Sequence, residues 1–315
     1  MTRSKAFFLN GGAGRMLCSI PALELYAEES GDTDFIIVCE GGTDMFKGHP
    51  LLHKRAYDPW HKNLFETEIK HRQVVNPEPY QVWEYYNQEC NLSQAFDIIL
   101  NNKGVRQLPK PLLKLSKDEL LVGRKLLNEI KEKIKKEKVL VVQPFGRGIE
   151  VIDDTPVDVT ARSFEFKDLK QMLKKLEKDY AIVMMSEMKI ELKGEGLKNE
   201  VAMPEGLNLR QWSALIKMAD HFLGCDSVGQ HLAYAVGTKT TAVIGSTFPV
   251  NVSYPNDSDL KIVDLGMTER VYDPIRITQD ETVNRHNENI MAMDDAIQDY
   301  VISVVKGDID PDSEE

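Results

Sequence analysis

The stretch "FLGCDSVGQHLAYAVGTKTTAVIGSTFP", Phe222–Pro249, contains a complete strand–helix–strand unit. An apolar run predicts a buried strand over His221–Cys225, and a polar turn leads into a helix predicted over Gly229–Val236. Gly237 ends this helix, and a second apolar run, Thr240–Ile244, predicts the next strand. Strands joined through a helix pair in parallel, because the crossover returns the chain to the same edge of the sheet. This unit therefore places the chain in the α/β class.

The same alternation continues through the rest of the second half of the chain. Further strands are predicted at Val139–Gln143, Ala181–Met185, Glu200–Met203 and Lys261–Leu265, and further helices at Phe164–Glu177, Leu209–Ala219 and Asp294–Lys306. Asn208 with Gln211 three residues later forms a capping-box signature at the start of one of these helices. Regular alternation of strands and helices predicts a doubly wound parallel sheet.

The N-terminal half begins in a similar way, with a strand predicted at Lys5–Leu9, a helix at Arg15–Glu29 and a strand at Asp34–Cys39. Residues 40–94 show no periodicity clear enough to assign elements. The fold class predicted is thus α/β, with two Rossmann-like doubly wound domains facing a cleft. We expect an N-terminal domain at 1–137, a C-terminal domain at 138–290, a C-terminal helix at 291–306 and a disordered acidic tail at 307–315.

Composition excludes several classes of protein. A hydrophobic fraction of 42% and a charged fraction of 28% are typical of a globular chain, and the apolar runs are too short to span a bilayer, so we expect a cytoplasmic protein. The net charge of −11 argues against a surface made wholly for nucleic acid, although Lys103–Lys138 carries twelve basic against five acidic residues. The four cysteines are widely spaced and are expected to be free thiols, and no metal-ligand spacing is found.

Polar residues cluster where the strand ending at Cys225 meets the next helix. The first N–H groups of a helix lack intrahelical partners and lie at its positive end, so this position attracts an anion such as phosphate. The next strand also ends in a hydroxyl-rich loop that contains Thr247. An ordinary capped turn without a ligand is the alternative. The candidate residues of this cluster are Asp226, Ser227, Gly229, Gln230 and His231.

Two further loops carry candidate binding residues. "NGGAGR" follows the first strand and combines a thin glycine loop, made by Asn10, Gly11, Gly12 and Gly14, with Arg15 at the helix start. "QPFGRG" contributes Gln143 and Arg147, and Arg162 precedes the next helix. Guanidinium groups bind phosphate through paired hydrogen bonds, which favours a diphosphate ligand. The alternatives are a tight structural turn for the first loop and exposed arginines for the second.

These residues resemble glycosyltransferase family 9, the group that includes the lipopolysaccharide heptosyltransferases. That family shows Asp-Ser/Thr-Gly-x-x-His-Leu-x-x-Ala, a glycine, a strand and Gly-Pro-Thr-x-Pro, and "DSVGQHLAYAVG" and "GSTFP" stand here in the same order. "GRMLCSIPAL", Gly14–Leu23, is similar to the family's Gly-Asp-x-Leu-x-x-x-Pro-Ala-Leu. The resemblance implies a GT-B fold that transfers a sugar from a nucleotide sugar, with inversion and usually without a metal or other cofactor.

By position, the resemblance implies that Ser227, Gly229, Gln230 and His231 hold the donor diphosphate, that Asp226 faces the sugar and that Arg162 contacts phosphate. Two departures stand out. Val228 replaces the glycine after Asp-Ser, and Arg15 replaces the catalytic aspartate, and an arginine cannot serve as a general base at neutral pH. Either a carboxylate such as Glu40 or Asp44 takes that role, or Arg15 stabilises the leaving diphosphate, or no transfer occurs.

The predicted function is sugar transfer from a nucleoside diphosphate sugar to an acceptor hydroxyl. The resemblance implies a saccharide or glycolipid as acceptor. The basic segment and the aromatic residues between Tyr57 and Tyr86 would also suit a hydroxylated base of DNA. A non-catalytic protein that binds nucleotide sugars is the third hypothesis, and Arg15 motivates it.

Overall fold

The computed structural model describes residues 4–146, 148–152, 155–158, 160–188, 190, 192, 196–267, 270 and 289–313. The chain forms two compact units, the first ending at Ser116 and the second beginning at Lys117. They are called the first and second domains below, and each is built on its own parallel sheet.

The first domain contains a four-stranded parallel sheet in the order β3-β2-β1-β4. Its strands are β1 Lys5–Leu9, β2 Ile36–Cys39, β3 Ala56–Tyr57 and β4 Gln73–Val75, and its helices are α1 Ala13–Glu29, α2 Trp83–Tyr86 and α3 Leu92–Asn101. Helix α1 packs against α3, and the rings of Phe7, Tyr26 and Phe35 meet edge to face at centroid distances of 4.9–6.0 Å. Burial of this apolar surface stabilises the domain.

The second domain contains a five-stranded parallel sheet in the order β11-β10-β9-β5-β8 and a two-stranded hairpin, β6-β7. The strands are β5 Lys138–Gln143, β6 Ile149–Ile152, β7 Thr155–Asp158, β8 Tyr180–Met184, β9 His221–Gly224, β10 Thr240–Ile244 and β11 Leu260–Asp264. The helices are α4 Lys117–Ile134, α5 Phe166–Leu176, α6 Leu209–Met218, α7 Val228–Val236, α8 Pro249–Val252 and α9 Asp295–Lys306. The predicted capping box of α6, Asn208 with Gln211, is confirmed.

Both sheets have a point at which the chain reverses its direction of winding. In the first domain the chain moves from β1 to β2 on one side, whereas β4 lies on the other side of β1. In the second domain β8 lies on one side of β5 and β9 on the other. Ligands of open α/β sheets bind at such switch points, beyond the carboxyl ends of the strands. The loops after β1 and β4, and after β5 and β9, are therefore the positions to inspect.

Helix α4 belongs to the second domain, so the division falls earlier than the predicted boundary at residue 137. Gly123 lies so close to α6 that an added Cβ would stand 2.9 Å from the carbonyl carbon of Ala214. Glu119 also accepts hydrogen bonds at 2.5 and 2.9 Å from Arg210 of α6. These partners lie some 90 residues further along the chain, so the local sequence of α4 did not reveal that the helix belongs to the second domain.

Three other expectations differ from the structure. Glu200–Met203 does not form a strand, since only Ala202 pairs with Val183 at the sheet edge. The β6-β7 hairpin was not predicted. The acidic tail was expected to be disordered, but its described part contacts β11. Lys261 of that strand pairs with Asp310 at 2.8 Å and with Asp312 at 2.7 Å. The Lys261 hydrogen bond lowers the pKa of Asp310.

Two simpler expectations can be compared directly. All four cysteines, Cys18, Cys39, Cys90 and Cys225, are buried free thiols. Burial is the main cause that raises the pKa of Cys39 to about 12, which keeps that thiol protonated and unreactive. Within the described residues, no helix is long and apolar enough to cross a membrane.

Candidate functional site

The β9–α7 corner, residues 225–228, lies at the switch point of the second sheet. Gln143 at the end of β5 spans the start of α7: its Nε2 donates to the Ser227 hydroxyl at 3.2 Å and its Oε1 accepts from the Gly229 N–H at 2.7 Å. The amide thus satisfies one N–H that a helix start leaves without an intrahelical partner. Gln143, which the sequence suggested as a ligand residue, serves here to cap α7.

The environment of two residues at the helix start follows from this cap. Ser227 precedes α7 but makes no side-chain capping hydrogen bond. At Gly229 an added Cβ would collide with Gln143 Oε1 and would stand 2.5 Å from Phe222 Cζ. The glycine is required because the protein's own side chains pack on it. Ser227 and Val228, by contrast, are half-buried and remain partly accessible at the tip of the helix.

Asp226 is the centre of the corner. Thr247 donates to its Oδ2 at 3.0 Å, Gln230 donates to its Oδ1 at 3.2 Å, and the Arg162 guanidinium lies 3.9 Å from Oδ2. Three loops, which follow β7, β9 and β10, thereby meet at one carboxylate. Hydrogen bonds and a cation offset the cost of burying this charge.

Gln230 and His231 lie deeper than the sequence suggested. The Gln230 side chain is fully buried: its amide nitrogen is bound to Asp226, and its oxygen accepts from Ser253 at 2.9 Å. The Nδ1 atom of His231 lies 2.9 Å from the Tyr254 hydroxyl, and that ring too is buried. Gln230 therefore orients Asp226 instead of reaching a ligand, and the ring of His231 packs edge to face on Tyr254.

Asp158, which sequence analysis did not single out, organises the loop that carries Arg162. Its carboxylate accepts from the backbone N–H and hydroxyl of Thr160 and from the same two groups of Ser163, at 2.5–3.1 Å. Burial tends to raise the pKa of Asp158, but the hydrogen bonds from Ser163 and Thr160 outweigh it, so the pKa is lowered. Thr160 in turn accepts from Arg162 Nε at 3.0 Å.

Hydrogen bonds through Thr160 to Asp158 thus orient Arg162, and 29% of its side chain is still exposed to solvent. It lies 3.9 Å from Asp226, which immediately precedes the partly accessible Ser227 and the start of α7. A cation, a hydroxyl and a helix N-terminus on one sheet edge are suited to an anion such as a phosphate group. Arg147, also predicted to bind phosphate, lies outside the described residues.

Arg270 is a second cation of this edge that sequence analysis missed. Its Nε donates to the carbonyl of Gly245 at 2.8 Å, its guanidinium pairs with Asp264, and its Cζ lies 4.8 Å above the Phe248 ring. Arg270 fixes the loop that carries Thr247. The residue lies 23 positions after Thr247 and follows no recognisable motif, so no local signal would have revealed it.

The β1–α1 corner, residues 10–15, occupies the switch point of the first sheet. Gly11 has a positive φ of 85° and its N–H donates to Glu40 at 2.7 Å, while the carbonyl of Gly12 accepts from the Arg15 N–H at 3.0 Å and opens α1. Gly14 lies in the first turn of the helix, and Asn10 is exposed. The glycine loop therefore forms a tight turn between β1 and α1.

Arg15 is buried and paired with a carboxylate that sequence analysis did not consider. Its NH2 lies 3.1 Å from Glu78 Oε1, and Glu78 Oε2 accepts from Asn10 Nδ2 at 3.0 Å. Glu78 lies three residues beyond β4, in the segment that showed no periodicity. Its only sequence signal is a carboxylate between two prolines, Pro77 and Pro79.

Asp44, the carboxylate suggested as a substitute base, follows β2 at the same edge of the first sheet. It begins a short 3₁₀ turn after β2 and pairs with Lys47 at 3.1 Å on the surface. The carboxylate in contact with Arg15 is Glu78. Among the described residues, no group of three or more His, Cys, Asp and Glu residues is placed to hold a metal ion.

Residues 166–270, from α5 to Arg270, match the model of the family described as Glycosyltransferase family 9 (heptosyltransferase). This segment holds α7, Asp226 and Thr247. No curated protein sequence matches the chain at a significant level.

Solved structures resemble the chain over nearly its whole length. A family 9 glycosyltransferase from Veillonella parvula is 9% identical with a TM-score of 0.66, covering 98% of this chain and 97% of that one. The iron-containing dodecameric glycosyltransferase TibC of enterotoxigenic E. coli is 12% identical with a TM-score of 0.60, covering 98% and 77%. The E. coli ADP-heptose lipopolysaccharide heptosyltransferase II is 12% identical with a TM-score of 0.50, covering 87% and 95%.

The two parallel sheets and these matches define the class of the fold: an α/β protein with two Rossmann-like domains, of the GT-B type. Within that class, the similarity to glycosyltransferase family 9 spans residues 166–270, about a third of the chain. TibC is described as containing iron, but the described residues of this chain offer no cluster of ligands that fits it.

Proposed function

We propose that this protein transfers a sugar from a nucleoside diphosphate sugar to the hydroxyl of a saccharide or glycolipid, with inversion at the anomeric carbon and without a metal ion. The observation that carries the proposal is the convergence of Arg162, Asp226 and Thr247 at the start of α7. A heptose donor is favoured, since TibC has been crystallised with ADP-D-β-D-heptose and the heptosyltransferase WaaC with ADP.

The donor diphosphate would lie against Arg162, Ser227 and the Val228 end of α7. These groups are the partly accessible ones, whereas Gln143 and Gly229 are occupied with each other. Arg162 would neutralise charge that grows on the diphosphate as the bond to the sugar breaks. Such preorganised cations and helix ends are most effective when the charge develops in the transition state.

Asp226 would face the sugar. Thr247 and Gln230 donate hydrogen bonds to its carboxylate and so fix its orientation. A shift of either side chain would therefore also move the carboxylate. His231 would support this arrangement through Tyr254, which lies 23 residues further along the chain. We assign Gln230 and His231 to positioning and not to direct contact with phosphate.

The reaction itself is a displacement. An acceptor oxygen forms a bond to the anomeric carbon, the bond between that carbon and the diphosphate oxygen breaks, and the electron pair leaves with the nucleoside diphosphate. The acceptor would be bound by the first domain, near the loop made by Asn10, Gly11, Gly12 and Gly14. Positioning of two substrates in this way supplies much of the rate enhancement of such transfers.

The experiment measures donor affinity by titration calorimetry with ADP-heptose and other nucleotide sugars. Arg162→Ala should raise Kd by about 10- to 100-fold, because a charge-assisted hydrogen bond contributes about 1.5–3 kcal/mol. Arg124→Ala is the matched control, since Arg124 is exposed on α4 of the same domain and should leave Kd unchanged. An unchanged Kd in Arg162→Ala would remove that residue from the site.

Product analysis separates the remaining hypotheses. Transfer to a saccharide acceptor, with inversion seen in the anomeric coupling constant by NMR, supports the proposal. Transfer to hydroxymethylated duplex DNA would indicate a DNA-modifying enzyme, which gains no support from the relatives above. Donor that is bound but never consumed with any acceptor would indicate a non-catalytic binding protein.

A further inference from the structure

The carboxylate of Glu78 is held at the switch point of the first sheet by donors from two segments of the chain. Its Oε1 lies 3.1 Å from the Arg15 NH2 and accepts from the Tyr80 N–H at 3.4 Å, and its Oε2 accepts from Asn10 Nδ2 at 3.0 Å. Asn10 and Arg15 follow β1, whereas Glu78 follows β4, and these two strands flank the switch point. Glu78 therefore stands where ligands of such sheets bind.

Arg15 is confined, which makes it a rigid support for Glu78. Only 7% of its side chain is exposed, its Cζ lies 4.8 Å from the centre of the Tyr80 ring and 5.8 Å from that of Phe96, and an added Cβ at Gly11 would contact its Cδ at 2.6 Å. Its Nε is buried and has no hydrogen-bond partner among the described residues. An ion pair that leaves a buried donor unmatched is not optimised for stability alone.

Glu78 itself is not sealed off, since 23% of its side chain is exposed. An ionised carboxylate has about four acceptor positions, and the three contacts above leave room for one more hydrogen bond. A hydroxyl that approached from solvent would meet a carboxylate that is already oriented by its donors. This is the geometry that general base catalysis requires.

The geometry points to Glu78 as the group that accepts the proton of the acceptor hydroxyl, with Arg15 as its positioning residue. This inference rests on the proposed function. As the acceptor oxygen bonds to the anomeric carbon, its proton moves to a Glu78 oxygen, and the electron pair of the breaking bond leaves with the nucleoside diphosphate. After product release the proton passes to water, which restores the carboxylate.

The other carboxylates of this edge are less suited to the task. Glu40 is exposed and accepts one hydrogen bond from the Gly11 N–H, and Asp44 is exposed and paired with Lys47. A base must lie within hydrogen-bond reach of the proton that it removes, so a carboxylate oriented by several donors has the advantage over a mobile one.

The test is Glu78→Gln in the full-length protein, assayed for sugar transfer and for donor binding. Glutamine keeps an acceptor oxygen for Arg15 or Asn10 but cannot take up the proton. We expect turnover to fall by about 100- to 10,000-fold, as is usual for loss of a general base, while the donor Kd stays within about twofold of the wild-type value. Glu89→Gln, at an exposed position of the same domain, should retain wild-type turnover.

Two further variants distinguish a general base from a residue with a purely structural role. Glu78→Asp should recover part of the turnover, because it restores a carboxylate on a shorter side chain. In Glu78→Ala, added acetate should raise transfer several-fold by taking the proton, an effect that a purely structural residue would not show. If Glu78→Gln unfolds, these two variants still decide the question.

Two results would overturn the inference in different ways. Transfer by Glu78→Gln at a rate near that of the wild type would refute the role of Glu78 and leave the proposed function standing. A wild-type protein that binds and consumes none of the nucleotide sugars would refute the proposed function, and the role of Glu78 would fall with it.

Discussion

The β1–α1 corner and the β9–α7 corner occupy the same place in two similar sheets but are stabilised in different ways. In the first domain a charged pair, Arg15 with Glu78, joins the two loops of the switch point. In the second domain a neutral amide, Gln143, caps the helix and a separate cation, Arg162, stands beside Asp226. One corner presents a carboxylate to solvent and the other presents a guanidinium.

This difference follows from the helix dipole. Arg15 lies in the first turn of α1, where a cation is unfavourable, so its charge needs a compensating carboxylate. In the second corner the cap, Gln143, adds no charge at the positive end of the helix, and the Arg162 guanidinium lies 3.9 Å from the carboxylate of Asp226 and opposes its charge. The second corner is thus suited to an anionic ligand, and the first to a neutral one with a proton to lose. This difference supports the proposal that the second domain binds the donor and the first domain binds the acceptor.

If the second corner depends on its hydrogen-bond network, Asp158→Asn should have the largest effect on stability. Asparagine removes the negative charge to which Thr160 and Ser163 donate hydrogen bonds. Hydrogen bonds to charged groups contribute about 1.5–3 kcal/mol each. We therefore expect the free energy of unfolding, measured in urea at pH 7, to fall by about 3 kcal/mol. Asp259→Asn, on an exposed loop of the same domain, should change little.

The same substitution has a pH signature. The folded pKa of Asp158 is lowered from 3.8, so its contribution is complete above pH 3.8 and is lost as the pH falls through the folded value. The wild-type protein should therefore lose stability more steeply than Asp158→Asn between pH 5 and pH 2. Parallel curves for the two proteins would show that the network does not stabilise the corner.

If the first corner depends on close backbone packing, Gly41→Ala should destabilise it. An added Cβ at Gly41 would stand 2.7 Å from both the carbonyl oxygen of Gly11 and the carbonyl carbon of Gly12, and these backbone atoms cannot rotate away. We expect a loss of about 2 kcal/mol, which is typical of overpacking. Gly104→Ala, where nothing lies within 4 Å, should unfold at the wild-type urea concentration.

The smallest effect is expected from the cap of α7. Gln143→Leu leaves the Gly229 N–H without its partner and should cost about 1 kcal/mol, as other helix caps do. Gln143→Glu keeps the acceptor oxygen and should retain most of that stability, but its negative charge should weaken binding of a diphosphate. Equal donor affinity for the two variants would indicate that the anion does not approach this helix.

Part of the site was accessible from sequence. The turn after Cys225 and the loop containing Thr247 were placed on one sheet edge, because the carboxyl ends of parallel strands meet there. Arg162 was also singled out, and the structure brings it to 3.9 Å from Asp226. The roles of individual residues could not be predicted from the sequence. Gln143 and Gly229 looked like ligand residues, but they hydrogen-bond to each other. Gln230 also looked like a ligand residue, but it hydrogen-bonds to Asp226.

The sequence by itself determined the α/β class, the parallel strands of the second domain, the capping box at Asn208 and the family of the segment 166–270. These features depend on periodicity and on residues a few positions apart, which a linear pattern records. Tertiary structure alone decided the partners of Arg15 and Gln143, since Glu78 is 63 residues from the one and Gly229 is 86 residues from the other. Such pairs form only when the sheets are assembled, because strand order, and not sequence distance, sets which loops become neighbours.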